Sequence, residues 1–437
     1  MNNSITVIGA GLAGCEAAKQ ISARSIHVDL IEMKPHKTTP AHSKPDLFAE
    51  LVCSNSLKAA RIDSAAGLLK EEMRHFGSVC LNAADESKVA AGGALAVDRD
   101  IFSSLITEQI KNDKNITVHN TTACEIPDDT VTIIATGPLT DEALAADIAK
   151  KCNSKHLNFY DAAAPIVTRE SIDFSKAFFA SRYGKGDDDY INCPMDKQQY
   201  TDFYNALITA ESVIVSDFDK PLTVYEGCMP VEVLAKRGED SIRFGPLKPV
   251  GLRDPKTGHR PWAVVQLRRE NAAGTLFNLV GFQTNLKFGE QKRVFSMIPG
   301  LENAEFMRYG VMHRNTFIDS PRLLHRNLSL KQNEDIFFAG QLSGVEGYME
   351  SAASGIIAGI NAANSILGKP PLILPEFTMI GALLSYICDN TVTNFQPMGA
   401  NFGILPPLDT HIRDKRERYA ALSDRSLKWF KENIKGE

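Results

Sequence analysis

The chain has 437 residues, 43% hydrophobic and 23% charged, proportions of a folded globular protein that exclude a disordered, collagen-like or coiled-coil chain. With 48 Lys and Arg against 53 Asp and Glu the net charge is −5, so the molecule as a whole is no polycation built around nucleic acid, although a local basic face stays open. No apolar run reaches the roughly 18–20 residues of a membrane helix, Met1-Asn2-Asn3-Ser4 is not a leader start, and the eight cysteines are scattered without CxxC pairs. The expectation is a cytoplasmic protein with reduced thiols, no membrane partner and no metal site.

At roughly 100–200 residues per domain, the length predicts two or three units. Ile5-Thr6-Val7-Ile8 is a short β-branched run of the kind that forms a buried parallel strand. It leads into Gly9-Ala10-Gly11-Leu12-Ala13-Gly14, a helix-compatible stretch from Cys15 to Arg24, and a second strand from His27 to Ile31 that ends in Glu32. In a dinucleotide site Gly9 permits the tight turn, Gly11 lets the backbone approach a pyrophosphate, and Gly14 lets helix and strand pack. Glu32 is placed to accept from a ribose hydroxyl. Further on, 130–134 is another apolar strand running into Ala135-Thr136-Gly137. Near the end of the chain, Asp335-Ile336-Phe337-Phe338-Ala339-Gly340 precedes a small-residue helix starting near Met349. A late strand, glycine and helix returning to the first unit resemble the FAD domain of two-dinucleotide flavoproteins, and favour FAD over NAD.

The predicted fold is therefore α/β, with a discontinuous FAD-binding Rossmann-like domain of the glutathione-reductase type over 1–150 plus 328–437. An α+β domain, 151–327, is inserted between the two parts. Within it, 182–189 reads as a polar loop, and Ser241–Phe244, Trp262–Leu267 and Thr275–Phe282 read as strands of an antiparallel or mixed sheet. The turn Asp254-Pro255-Lys256-Thr257-Gly258 separates the first two.

Charge is uneven. From Lys236 to Arg269 nine basic residues face three acids, from Arg308 to Lys331 five face Asp319 alone, and from His411 onward eight face five. Each run alone is an ordinary solvated surface; together they raise the prospect of a polyanionic partner whose phosphates they neutralise.

Seven further segments run in collinear order: Phe48-Ala49-Glu50-Leu51-Val52-Cys53-Ser54-Asn55-Ser56-Leu57, Leu68-Leu69-Lys70-Glu71-Glu72-Met73, Ala91-Gly92-Gly93-Ala94-Leu95-Ala96-Val97-Asp98-Arg99, Tyr160-Asp161-Ala162-Ala163-Ala164-Pro165, Glu226-Gly227-Cys228-Met229-Pro230, Tyr309-Gly310-Val311-Met312-His313-Arg314-Asn315-Thr316 and Gly344-Val345-Glu346-Gly347-Tyr348. Over about residues 4–405 the chain resembles the bacterial folate- and FAD-dependent tRNA (uracil-5-)-methyltransferases. The resemblance implies transfer of a methylene group from 5,10-methylenetetrahydrofolate to C5 of the T-loop uridine 54 of tRNA, with reduced FAD supplying electrons and NAD(P)H as the reductant. It also implies that Cys228 attacks uracil C6, while Cys53 works beside the flavin, holding the one-carbon unit or handling the C5 proton.

The chemistry is coherent on its own terms. Uracil C5 is a poor nucleophile until a thiolate adds at C6. A folate methylene lies one two-electron step above a methyl, so the reaction needs a hydride donor. A free thiol titrates near pH ~8.5, so either cysteine needs a cation or helix N-terminus to activate it; Lys236, Arg237 and His313 are candidates. Tyr348 is a candidate to stack on a pterin or base, and His313 and Arg314 to contact folate or phosphate. Three positions depart from the family pattern: Cys15 in place of Ser, Ser43 in place of a second His after His42, and Phe288 in place of Trp. The same chemistry on a ribosomal RNA uridine, a small-molecule FAD oxidoreductase, and a non-catalytic RNA-binding flavoprotein are the competing readings. The sequence leaves the oligomeric state open.

Overall fold

The computed structural model describes residues 4–39, 42–153, 157–162, 164–184, 187–213, 229–310, 312–392 and 395–434, with the backbone alone for 157–162 and 312–315. Ser4–Ile8 is an inner strand of a six-stranded sheet ordered Ser329–Leu330, Asn333–Phe338, Thr132–Ile134, Ser4–Ile8, His27–Glu32, Ile116–Asn120. Every neighbour is parallel except the short edge strand Ser329–Leu330. Strands covered on both faces need apolar residues on both, so Ile5, Val7, Ile133 and Phe338 are completely buried. The late strand slots beside Thr132–Ile134 with Ile336 opposite Thr132, which brings the end of the chain back to its beginning.

Helix Leu12–Ser22 begins inside the glycine run, three residues before the pattern placed it, because Gly11 takes the extended cap conformation. The returning helix Tyr348–Ile366 lies directly on it. A Cβ on Gly14 would sit 1.8 Å from Gly9 O, and one on Gly355 would sit 2.2 Å from Ala13 O, so at both places the backbones touch. One apolar core joins this sheet and its helices with residues from 5–152 and 317–430.

Polar groups lock the late helices onto this core. Glu72, on helix Ala65–Arg74, accepts from the N–H groups of Met379 (2.6 Å) and Ile380 (2.8 Å) at the start of helix Met379–Cys388. It also accepts from Ser426 Oγ at 2.5 Å on helix Lys415–Asn433. Burial pushes its carboxyl up to about 7, against these three donors, which hold it down. Glu72→Ala strands two buried helix-start N–H groups, and is expected to lower unfolding free energy by about 2–4 kcal/mol; urea denaturation checks this.

The second core draws on 164–304 and packs against an antiparallel sheet ordered Phe178–Phe179, Tyr190–Met195, Ala263–Arg269, Leu276–Leu279, Ile166–Thr168, Phe306–Arg308. The chain passes between the two cores twice. The two crossings pair as an antiparallel ribbon, Leu157–Ala162 with Met312–Phe317, in which Leu157 faces Phe317. The predicted strands at 262–267 and 275–282 are present as Ala263–Arg269 and Leu276–Leu279. Ser241–Phe244 is not a strand: Glu239–Phe244 is a short helix. Only Ile242 of its residues is buried, Phe244 is 66% exposed, and Glu239 and Asp240 at the start with Arg243 at the end suit the helix dipole. Four residues cannot separate a period of two from one of 3.6. Ala263–Arg269 pairs instead with Tyr190–Met195, and 182–184 is an irregular turn with Tyr183 in the left-handed region (φ 59°). Among the described residues, no helix is long and apolar enough to cross a membrane and no cluster of side chains could hold a metal ion.

Candidate active site

A cavity of about 460 Å³ opens at the carboxyl ends of the parallel strands, where ligands of open α/β sheets bind. Gly9, Ala10, Gly11, Leu12, Ala13, Glu32, Gly137 and Gly340 all line it; Gly14 does not, and serves the close packing described above. The start of helix Leu12–Ser22 has no side-chain cap and no acid in its first turn, and a Cβ on Gly11 would meet nothing nearer than 4.0 Å. Open glycine backbone beside uncapped helix N–H groups is the cradle a dinucleotide pyrophosphate requires. FAD therefore fits these residues.

Glu32 is more engaged than its spacing suggests. Its Oε2 accepts from Ala10 N at 2.7 Å and its Oε1 from Lys34 N at 3.0 Å, so the carboxylate pins the glycine loop to the second strand. Each oxygen keeps a second lone pair for another donor. Gly340 N donates to Ser354 Oγ at 2.7 Å, tying the late loop to the returning helix.

Cys53 lies on the wall of the same cavity, beside Val52 and Ser54. Tyr348 also lines it, but its hydroxyl is committed: it accepts from Cys53 N at 2.7 Å and Ser54 N at 3.1 Å. The predicted stacking residue thus shapes the cysteine loop. Cys228 lies outside the described residues. Just after it, Val231 N donates to Gln283 O at 2.7 Å, and Gln283 lines the cavity. His313 and Arg314 fall on the ribbon strand, where only backbone is described.

The expected thiol activators Lys236 and Arg237 are exposed beyond helix Val231–Ala235 and do not line the cavity. The cations beside the Cys53 loop are Arg99, Arg268 and Arg308, which the sequence reading did not single out. Arg268 belongs to a basic run read as surface, and Arg99 closes a family motif without any spacing that marks it. Cys15 is buried behind the loop with Sγ directed at Ala10 O (3.4 Å), and burial pushes its thiol far up, so it is a packed, protonated group. Ser43 anchors Glu50 through its N–H (2.7 Å) and Oγ (2.9 Å), while His42 lines the cavity. Phe288 lies outside the cavity lining, 54% exposed and stacked on Tyr309 at 5.0 Å.

Several cations of the second and third basic runs are bonded within the chain, although Arg322, Arg413, Lys415, Arg416, Lys428 and Lys431 are exposed. Arg326 and Lys331 bind the carbonyls of Leu374 and Pro321, Arg416 pairs with Asp63, and Arg425 holds Pro406 O and Pro407 O. In the first run Arg268 is buried and Arg243 packs on Trp262 at 3.7 Å, but Lys236, Arg237, Lys248, Arg253, Lys256 and Arg260 are exposed.

The family model described as glucose inhibited division protein A matches residues 4–370. A methylenetetrahydrofolate–tRNA-(uracil-5-)-methyltransferase TrmFO of Acetivibrio thermocellus is 58% identical over 434 residues, covering 99% of each chain. The chain belongs to this family. Another TrmFO member, from Desulforamulus reducens, is 59% identical over 433 residues, covering 99% of this chain and 98% of its own. A solved structure of Aquifex aeolicus GidA matches with a TM-score of 0.71 at 18% identity, over 98% of this chain and 75% of that one, a likeness of fold. The TrmFO relatives are matched over nearly their whole length, so the cavity and both cores lie within the shared span.

Proposed function

We propose that this protein methylates C5 of a uridine in tRNA, taking the carbon from 5,10-methylenetetrahydrofolate, and that it does so in the cytoplasm on the T-loop with NAD(P)H as the source of electrons. The observation that carries the reading is that Cys53 and the glycine loop form walls of one cavity. In this reading 1–150 with 328–437 hold FAD, and 151–327 faces the RNA.

Gly9 to Ala13 would cradle the pyrophosphate of bound FAD, Glu32 would accept from a ribose hydroxyl with its remaining lone pairs, and Gly137 and Gly340 would border the rest of the cofactor. Bound and reduced, the flavin supplies the two electrons that turn a methylene into a methyl. Cys228 adds through its thiolate to uracil C6, which makes C5 nucleophilic; C5 bonds to the methylene carbon as that carbon's bonds to the folate nitrogens break, and loss of the C5 proton then expels the Cys228 thiolate. Cys53, on the cavity wall, takes that proton. The target base has to leave its stack to reach the cavity.

The test is an assay with transcript tRNA, labelled methylenetetrahydrofolate and NADH or NADPH. Labelled 5-methyluridine in the T-loop is the expected product. No product with reduced, flavin-loaded enzyme overturns the reading, and product in ribosomal RNA instead reassigns the substrate. The exposed cations of the inserted unit hold phosphates, so Arg253→Ala with Arg260→Ala is expected to weaken tRNA binding about tenfold. The salt slope should fall by about 2. Filter binding across a salt series checks both.

A further inference from the structure

Three arginines converge on the short loop that carries Cys53. Arg99, at the start of helix Arg99–Lys111, donates Nη1 to Leu51 O at 2.7 Å. Arg308, on the edge strand of the antiparallel sheet, donates Nη2 to Val52 O at 2.6 Å. Arg268, from strand Ala263–Arg269, donates Nη2 to Ser54 Oγ at 2.7 Å and Nε to Asn55 Oδ1 at 3.0 Å. Residues on both sides of Cys53 are therefore held by guanidinium groups, two of them from the second core. Asn55 completes the clamp by donating to Arg269 O at 2.9 Å.

The charges around this loop do not cancel. Among the described residues, Glu270 is the carboxylate set against the three arginines, in an ion pair with Arg99 that leaves Arg99 Nη2 without an acceptor. Arg268 and Glu270 are only 8% and 5% exposed. Of the other acids along the cavity, Glu50 pairs with Lys34 at 3.4 Å, Glu350 with Lys58 at 2.6 Å and Asp141 with Lys37, while Glu346 accepts from Gln341 at 2.6 Å and Glu32 from the backbone N–H groups of Ala10 and Lys34. Burial and then the charge of Arg99 hold Arg308 below its ordinary range, while Cys53 and Tyr348 act in the opposite sense. Burial pushes the Tyr348 phenol up, so it stays neutral and adds no negative charge. Cys53 lines the cavity next to this excess of positive charge and acts electrostatically on Arg308.

We propose that Arg99, Arg268 and Arg308 are positioning residues that fix the Cys53 loop and hold the Cys53 sulfur as a thiolate at neutral pH. A cationic surround lowers a thiol into that range. A thiolate in place accepts the proton from uracil C5 without first needing another base. The proposal rests on Cys53 being the working thiol of the methylation reaction.

The test reads the thiol itself. Full-length, FAD-loaded protein is alkylated with iodoacetamide across pH 5–10, and modification of the Cys53 peptide is followed by mass spectrometry. The wild-type midpoint is expected clearly below the ordinary ~8.5. Arg308→Gln should raise it by about one unit or more, and Arg308→Lys, which keeps the charge, should restore most of the shift. Glu270→Gln removes the carboxylate paired with Arg99 and should move the midpoint down. An unchanged midpoint in Arg308→Gln, a lysine variant as far displaced as the glutamine, or an upward shift in Glu270→Gln overturns the proposal. Should Cys53→Ala methylate tRNA at the wild-type rate, the functional reading of this thiol fails while the titration stands as measured.

Discussion

Cys53→Ala is expected to lower the rate of 5-methyluridine formation by about 10³-fold or more, with FAD still bound in stoichiometric amount. The separation of the two effects follows from the local bonding. It is the backbone N–H of Cys53, and not its sulfur, that Tyr348 Oη receives, and Arg99, Arg268 and Arg308 bind the residues around it. Alanine keeps all of these contacts and the loop with them. Only the sulfur leaves the cavity wall. Cys228→Ala should lose product to the same degree for a different reason, since the nucleophile proposed to raise the reactivity of C5 is then gone. Product analysis of digested tRNA, together with the flavin absorbance of each purified variant, measures both quantities. Product at the wild-type rate from Cys53→Ala would remove this thiol from the mechanism.

Gly355→Ala is expected to destabilise the fold by about 3 kcal/mol and to release flavin, although residue 355 lines no part of the cavity. The new Cβ would lie 2.2 Å from Ala13 O and 2.7 Å from Ala13 Cα, all backbone, with no flexible side chain to move aside. Relief requires helix Tyr348–Ile366 to move off helix Leu12–Ser22, and the latter carries the glycine loop at its first turn. Gly289→Ala is the control of opposite sign. It lies on helix Phe288–Phe295 with nothing within 4 Å, and should stabilise slightly, by about 0.5–1 kcal/mol. Thermal melts and the flavin content of the purified proteins separate the two. Equal behaviour of the two variants would mean that the helices have room to spare.

The parts of the fold that were legible in the sequence are those where one local pattern suffices. Ser4–Ile8 and the glycine run announced the nucleotide strand and turn because a strand buried on both faces must be apolar throughout. The late strand ending at Phe338 was legible for the same reason. What could not be read depends on partners far away along the chain. Arg268 counts as surface charge in a sequence, and becomes an interior clamp only because Asn55, 213 positions away, meets it. Nothing in the 68–73 segment reveals that Glu72 receives two N–H groups from the start of helix Met379–Cys388. Ser241–Phe244 was misread because so short a segment fits either period. Gly14 was recognised as a packing position from its motif, whereas the contact of Gly355 with Ala13 had no motif to reveal it.

The ribbon of Leu157–Ala162 and Met312–Phe317 has a consequence for the gene. Leu157 faces Phe317 across one strand spacing, about 5 Å, so everything between them enters and exits at a single point. Deleting that stretch and rejoining its ends asks for no more than a tight turn. The parallel sheet of the first core, whose strands all lie outside that stretch, keeps every one of its neighbours when it is removed.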